Sequence, residues 1–524
     1  MGFSVQLTLH KLKMENVKLK IMVCALRTDL IISGGNTLIF NFQFSIFNSF
    51  HRNDKLKFED LPGGKHLLDT FRKKRYDYEK RTGRFFVMKH YLKEQGCPCG
   101  KAHTAPIDEI VVGKGVIARL PEFVAKYGAK KPFLLADVNT WAAAGEAVSA
   151  VLDAAGIPYS KYVSPCTELE PNEEAVGSVF MHFDNKCDLV IAIGSGVIND
   201  TGKILSNVHG CPYIIVGTDP SMDGYASATS SMSMDGLKVS LPTRVADVII
   251  GDVDILKNAP DHLLKAGLGD MLAKFISIAE WRIAKIITGE YYCEEVAQLI
   301  RTAVKKCTDN AEGLLRHDEK AIEAVFEGLV IGGVAMTYAG VSRPASGVEH
   351  YFSHVWDMRG LDKGTKVDLH GIQCALGTLL AARLYEVIKT MTPDENKAKA
   401  YVEGFSFEDW CVTLRQFVGA GAEAMIAQEA KEGKYNKATH AARFALIRDN
   451  WDKIVAIINE EIPSAAEIEK ILVTIGISPD VAQLELTSED VKTTFMATKD
   501  IRDKYVLSRL AWDLGVMDEL CALL

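Results

Sequence analysis

The chain lacks an excess of positive charge: 60 Lys and Arg stand against 68 Asp and Glu, a formal net charge of −8 at pH 7. Composition therefore gives no general support to nucleic-acid binding. It also lacks an unbroken apolar run of bilayer length. The nearest, Ile31 to Phe50, is interrupted by Ser33-Gly34-Gly35-Asn36 and follows Arg27 and Asp29, so no membrane span is expected. The basic stretch Lys11 to Lys20 leads into no clean apolar core with a small-residue cleavage site, which argues against a signal peptide. A disulfide framework is missing too. Eleven cysteines, an odd number, are scattered through the chain and read as reduced thiols of a cytoplasmic protein. One cluster stands apart, Cys97-Pro98-Cys99-Gly100-Lys101-Ala102-His103. Its spacing is tighter than a zinc finger's and no second pair follows nearby, so metal knuckle and plain loop both remain open.

What is present describes a globular protein: 524 residues, 48% hydrophobic and 24% charged, too long for one ordinary core and suggestive of two or three domains. Residues 1–90 read as a poorly defined extension. Its part from Asp54 to Arg84 is charge-rich and linker-like, and the expectation is that the working protein begins near Met88. From Ile107 onward, β-branched runs alternate with helical segments. Ile110–Gly113, Pro132–Asp137, Leu189–Gly194 and Tyr213–Thr218 are continuous apolar strands, with helix-like Ala142–Ala155 and Asn172–Phe183 between some of them. Strands apolar on both faces imply a parallel sheet covered by helices on both sides. Residues 91–262 thus read as an α/β domain. From Pro260 the β-rich runs stop, and helical patterns such as Leu263–Ile287, Cys293–Leu315, Glu319–Ala339, Gly371–Thr390 and Lys499–Leu514 follow. Residues 263–524 read as an all-helical domain, with a cleft between the two.

Two strand ends carry candidate binding residues, since ligands of parallel sheets gather at the carboxyl ends of strands. The first leads into Gly194-Ser195-Gly196-Val197-Ile198-Asn199-Asp200. Glycines directly after a strand allow close backbone approach, and the helix that follows offers unpaired N–H groups to a pyrophosphate. This is not G-x-G-x-x-G, and a ligand-free turn would need the same glycines. The second is Gly217-Thr218-Asp219-Pro220-Ser221-Met222-Asp223-Gly224-Tyr225-Ala226-Ser227. Its hydroxyls and carboxylates suit a polyol or a ribose, although solvated loops share that composition. Asp137, ending its strand, is placed to accept from an adenosine ribose hydroxyl and leans toward NAD over NADP.

The helical half carries His350 and His354 in Ser342-Arg343-Pro344-Ala345-Ser346-Gly347-Val348-Glu349-His350-Tyr351-Phe352-Ser353-His354. Spacing by four puts both imidazoles on one face of a helix. His370 follows, and Asp270 in Gly267-Leu268-Gly269-Asp270 is a carboxylate that could complete a set. Imidazoles with one carboxylate suit Zn²⁺, Ni²⁺ or Fe²⁺ and leave a position open for substrate. Two histidines at this spacing also decorate ordinary helices.

Taken together, the Gly194–Asp200 turn, the loop Ser221–Ser227, Gly267–Asp270 and the ordered His350, His354 and His370 resemble the iron-containing alcohol dehydrogenase superfamily, also described as dehydroquinate synthase-like in architecture. Within it they are most similar to the sn-glycerol-1-phosphate dehydrogenase branch, over about residues 95–520. The resemblance implies that Asp270, His350 and His370 hold one divalent metal. It implies that Gly196 to Asp200, Thr218 to Ser221 and Ser227 line a site for NAD or NADP, and that Asp223, His354 and Asp270 contact substrate. Ser195 stands where many relatives have glycine.

On this reading the chain is an oxidoreductase that reduces dihydroxyacetone phosphate to sn-glycerol 1-phosphate for glycerophospholipid synthesis. The cation would stabilise negative charge on the reduced oxygen, Asp223 would orient a hydroxyl, and His354 would position substrate or relay the proton. Arg343 and Ser346 are the candidates to grip the phosphate; an ordinary ion pair is the competing role of Arg343. A homodimer is an expectation at family level only. Alternatives on the same scaffold are a glycerol dehydrogenase or another polyol dehydrogenase, and a ring-forming synthase that uses NAD transiently. From another class, Cys97, Cys99 and His103 would form the zinc knuckle of a binding protein, with Arg72–Tyr78 and Arg84–Phe86 contacting RNA.

Overall fold

The structure is a computed structural model and describes residues 3–8, 29–33, 37–42, 96–234 and 237–524. The chain divides into two units, Met1–Arg81 and Thr82–Leu524. In the first, β1 (Phe3–Thr8), β2 (Asp29–Ser33) and β3 (Thr37–Phe42) form an antiparallel sheet with β3 in the middle. The apolar stretch that begins at Ile31 is thus divided between two paired strands. The linker read over Asp54–Arg84, with Arg72–Tyr78 and Arg84–Phe86, lies outside the described residues.

The second unit is built on six strands: β4 (Glu109–Gly113), β5 (Pro132–Asp137), β6 (Ser160–Ser164), β7 (Leu189–Gly194), β8 (Tyr213–Gly217) and, after the hairpin β9 (Thr229–Met234) and β10 (Leu237–Pro242), β11 (Val248–Asp252). Their order is β4-β11-β8-β7-β5-β6, and every neighbouring pair is parallel. The chain steps outward from β5 to β6, then returns to lay β7 on the other side of β5. That reversal is a topological switch point, where the carboxyl ends of β5 and β7 open a crevice. Asp137 ends one strand and Gly194 the other.

Alternate residues of each strand enter different cores, which is why these runs are apolar throughout. Leu189, Ile191, Ile193, Ile214, Val216 and Ile250 pack with Phe123, Val148 and Leu152. On the opposite face Val190, Ala192, Ile215 and Ile249 share a core with Leu272, Ile276 and Phe326 of the helical half. The boundary at 262/263 therefore marks a change of secondary structure within one unit.

The helices that matter for the site are α1 (Glu146–Ala154), α2 (Glu173–His182), α3 (Gly196–His209), α4 (Asp261–Thr288), α5 (Glu294–Thr308), α6 (Glu319–Ala339), α7 (Val348–Lys363) and α8 (His370–Ile388). Both α6 and α8 are long and apolar enough to cross a bilayer, yet 78% and 83% of their apolar windows are buried within the protein, as expected of core helices. The helix read over Lys499–Leu514 is shorter than expected, beginning only at Leu507.

Candidate metal and dinucleotide site

Helix α4 is the spine of the site, because Asp270, Lys274, Ser277 and Glu280 recur along it at helical spacing. Asp270 is fully buried. Its Oδ2 accepts the Asp223 backbone N–H at 2.9 Å and its Oδ1 accepts Lys274 Nζ at 2.5 Å. Lys274 Nζ also donates to Asp223 Oδ2 at 2.7 Å. Further along, Ser277 Oγ donates to the Pro344 carbonyl at 3.1 Å and Glu280 Oε2 accepts the Val348 N–H at 2.9 Å. A carboxylate on the first N–H groups of α7 complements the helix dipole, and these bonds fix where α7 begins and so where His350 falls.

His350 Nδ1 lies 2.9 Å from Glu349 Oε1, leaving Nε2 3.6 Å from Asp270 Oδ1. Burial and the nearby Lys274 cation hold this imidazole well below the usual histidine range, so it is neutral, as a metal ligand must be. His370 opens α8. Its Nδ1 lies 2.8 Å from Ser353 Oγ, and its ring centroid is 5.0 Å from that of His350. His354, one turn beyond His350, stacks at 6.1 Å on the His370 ring.

The glycines beside the ligands explain how distant residues meet. A Cβ on Gly371 would sit 1.9 Å from the Ala266 carbonyl oxygen, and one on Gly269 2.3 Å from the Gly371 carbonyl oxygen. Only bare backbone lets α4 and α8 cross this closely, which brings Asp270 and His370 into one neighbourhood.

Donor atoms of Asp223, Asp270 and His350 lie within 4.8 Å of one another, as do those of His350, His370 and Cys374. His350 belongs to both sets. Each imidazole has its far nitrogen engaged by a neighbouring side chain, the arrangement that orients metal ligands. The Lys274 ammonium shows that a positive charge is accommodated where the two carboxylates meet. The expected set of Asp270, His350 and His370 is thus divided between two groups that share His350, and the donor types of each fit a divalent ion. Sequence reasoning missed Lys274, Glu349, Ser353 and Cys374 as members of the site; Cys374, four residues after His370, was signalled by helical spacing alone.

At the crevice, the first turn of α3 presents the N–H groups of Gly196, Val197 and Ile198, which no helical carbonyl can satisfy. Beside it run Thr218, Asp219 and Pro220, all buried, then Ser221. Burial pushes the Asp219 carboxyl upward, opposed by the adjacent hydroxyls of Ser221, Ser195 and Thr218; the extra hydroxymethyl group of Ser195 thus has a polar neighbour on the next loop. Three side chains expected at the cofactor are engaged within the protein. The Asn199 side chain is fully buried, donating to the Gly224 carbonyl at 3.0 Å and accepting from Tyr213 Oη at 2.9 Å. Asp200 is tied to Lys203 Nζ at 2.7 Å and to the Ser231 N–H at 3.0 Å. Both side chains hold neighbouring segments in place, Asn199 at Gly224 and Asp200 at Ser231. Asp137 Oδ1 caps the turn that follows β5, accepting from Asn139 and Thr140 N–H at 2.8 Å each, which leaves Oδ2 alone for the ribose role. Ser227 Oγ lies 3.0 Å from Thr229 Oγ1.

Arg343 is also corrected. Its side chain is 0% exposed, with Nε and Nη2 donating to Glu290 Oε1 and Oε2 at 2.8 and 2.6 Å. The Nε/Nη2 fork is filled by protein, and only Nη1, buried without a hydrogen-bond partner, stays unengaged. Ser346 is buried, and its carbonyl accepts Lys504 Nζ at 2.8 Å. We expect Arg343→Ala to cost about 3 kcal/mol of stability, since it strands a carboxylate in a partly buried pair, while KM for a phosphorylated substrate stays within twofold. Urea unfolding beside steady-state kinetics checks this; a tenfold KM increase at unchanged stability would restore the phosphate role.

Residues 111–260 match the family model described as iron-containing alcohol dehydrogenase. A glycerol-1-phosphate dehydrogenase [NAD(P)+] of Halalkalibacterium halodurans is 32% identical over 330 residues, 61% of this chain and 80% of the relative. The chain belongs to the glycerol-1-phosphate dehydrogenase family. Another member of that family, from Pyrococcus furiosus, is 35% identical over 280 residues, covering 53% of this chain and 79% of its own length. Among solved structures, glycerol dehydrogenase from Schizosaccharomyces pombe superposes with TM-score 0.52 at 17% identity, over 80% of this chain and 90% of that one. A 1,3-propanediol oxidoreductase gives TM-score 0.53 at 15% identity, over 79% and 98%. These likenesses show that the chain has the iron-containing alcohol dehydrogenase and glycerol dehydrogenase fold.

Proposed function

We propose that this protein reduces dihydroxyacetone phosphate to sn-glycerol 1-phosphate with NADH or NADPH, reversibly, in the cytoplasm. Family membership makes it a metal-dependent NAD(P) oxidoreductase acting on glycerol phosphate. The observation that carries the reading is the Ser221–Ser227 loop, gripped from two sides at its middle, Asp223-Gly224. Asn199 of the first turns of α3 bonds the Gly224 carbonyl, and Asp270 takes the N–H of Asp223. One loop thus links the dinucleotide turn to the metal ligands.

In this proposal residues 91–262 bind the dinucleotide, through the Gly194–Ile198 turn and Thr218–Ser221. Residues 263–524 supply Asp270, His350 and His370 to hold one divalent ion, zinc, nickel or iron. When bound, such an ion polarises a carbonyl oxygen. Asp223, its carboxylate already paired with Lys274, orients a substrate hydroxyl, and His354 delivers the proton that the new hydroxyl needs. Cofactor absorbance at 340 nm, an assay wavelength, with dihydroxyacetone phosphate and with dihydroxyacetone, tests the substrate, and chiral analysis of the product tests its handedness. Equal turnover of the unphosphorylated ketone would point instead to a polyol dehydrogenase.

A further inference from the structure

A further group of ligand-type side chains lies outside the two sets that share His350. The Cys97-x-Cys99-x-x-x-His103 segment, which lacks a partner pair in sequence, meets Cys293 in space. The ligand atoms of Cys97, Cys99, His103 and Cys293 all lie within 4.8 Å of one another. Cys97 Sγ is 3.4 Å from Cys293 Sγ, while His103 Nε2 is 3.2 Å from Cys99 Sγ and 3.3 Å from Cys293 Sγ. A tetrahedron with Zn–S about 2.3 Å and Zn–N about 2.0–2.1 Å has donors roughly 3.5–3.8 Å apart. The observed cluster is close to that size.

The surroundings prepare the same donors. His103 Nδ1 lies 3.1 Å from the Tyr338 carbonyl oxygen. A carbonyl only accepts, so Nδ1 carries the hydrogen and the Nε2 lone pair is turned into the three sulfurs. Cys293 is the N-cap of α5; burial and the neighbouring Cys97 and Cys99 push its thiol up to about 12, so its proton is released only as an ion binds. Tyr291 Oη is 3.3 Å from Cys99 Sγ, a donor suited to a charged sulfur. The Gly100 N–H bonds the Cys97 carbonyl at 2.9 Å, closing a tight turn that presents two thiols from one side. His103 and Cys293 are buried and the other two half-buried.

We propose that Cys97, Cys99, His103 and Cys293 bind one zinc ion as a closed structural site, distinct from the Asp270–His350–His370 centre. Four protein donors leave no position for substrate or water, so the ion is a cross-link rather than a catalyst. It fastens the segment leading into β4 to the turn between α4 and α5. Glu290, in that same turn, holds Arg343 at the entrance to α7, so the cross-link steadies the approach to His350 from outside the reaction centre.

The test uses full-length protein with His350→Ala, which weakens the first centre. Tightly bound zinc, measured by mass spectrometry after exhaustive dialysis under reductant, should stay near one per chain. It should fall below about a fifth of that when Cys99→Ser or Cys293→Ser is added, and stay near one with His103→Cys. Should the serine variants not fold, zinc-edge X-ray absorption on the His350→Ala protein still decides: sulfur scatterers at about 2.3 Å are expected. A shell of nitrogen and oxygen alone, a zinc-free His350→Ala protein, or a Cys97–Cys293 disulfide in non-reducing peptide maps would overturn the proposal.

Discussion

Asp270→Asn should lower kcat/KM for dihydroxyacetone phosphate by roughly 10³-fold or more, about 4 kcal/mol of lost transition-state stabilisation. The substitution keeps shape but removes the charge that pairs with Lys274 and faces His350. His350→Ala removes the donor common to both ligand groups and should act to a similar extent. Far-ultraviolet circular dichroism should be unchanged in Asp270→Asn, because the Asp223 N–H can still donate to the amide oxygen. Metal content and kinetics measured together make the result interpretable. An Asp270→Asn protein that keeps its full metal load and within tenfold of its activity would mean that this carboxylate is not a ligand.

The positions of these residues were legible in sequence to different depths. The four strands read from apolar runs are all present, since a buried parallel strand needs no partner to declare itself. The edge strand Ser160–Ser164, only partly buried, and the serine-rich hairpin β9–β10 carry no such signal, and their strand character comes from pairing. Val248–Asp252 is as apolar as the strands that were read and escaped because the helical pattern beginning near Pro260 drew the boundary. For the site, spacing points to His350 and His354, with His370 and Asp270 as residues that could complete a set, and the family resemblance implies Asp270, His350 and His370 as the ligands; the residues that orient them could not be separated from ordinary helix positions. Glu349 looks like any first-turn glutamate of α7 until its carboxylate is seen on the His350 ring. Arg343 shows the competing role, an ion pair, in place of the phosphate contact. A guanidinium near candidate histidines suits a phosphate, but nothing local announces Glu290, 53 residues earlier, as its partner. Cys293 is the same case: 190 residues from His103, it completes a cluster whose sequence half looked unpaired.

The role of Lys274 leads to the other large effect. Its ammonium is 0% exposed and touches two carboxylates, of which Asp270 is 0% and Asp223 15% exposed. Burial alone would lower the Lys274 pKa, but Asp223 and Asp270 more than offset it, so the group stays above the ordinary lysine range and charged. Asp223 is shifted upward by burial and by Asp270, with Lys274 opposing. Removing the lysine leaves two buried carboxylates facing each other, which costs about 3–5 kcal/mol. A divalent ion bound to the folded state at about 1,000 times its Kd contributes about 4 kcal/mol, enough to offset that loss. Lys274→Met should therefore lower the urea midpoint sharply after chelation and much less in excess metal, whereas the parent protein should show a smaller difference between the two conditions. Equal losses with and without metal would mean that Lys274 stabilises the helix packing and has no share in balancing the charge of the site. The comparison also bears on activity. Lys274 holds Asp223 against α4, so a metal-restored Lys274→Met protein should bind the ion yet turn over slowly, with Asp223 free to swing away from the substrate hydroxyl it is proposed to orient.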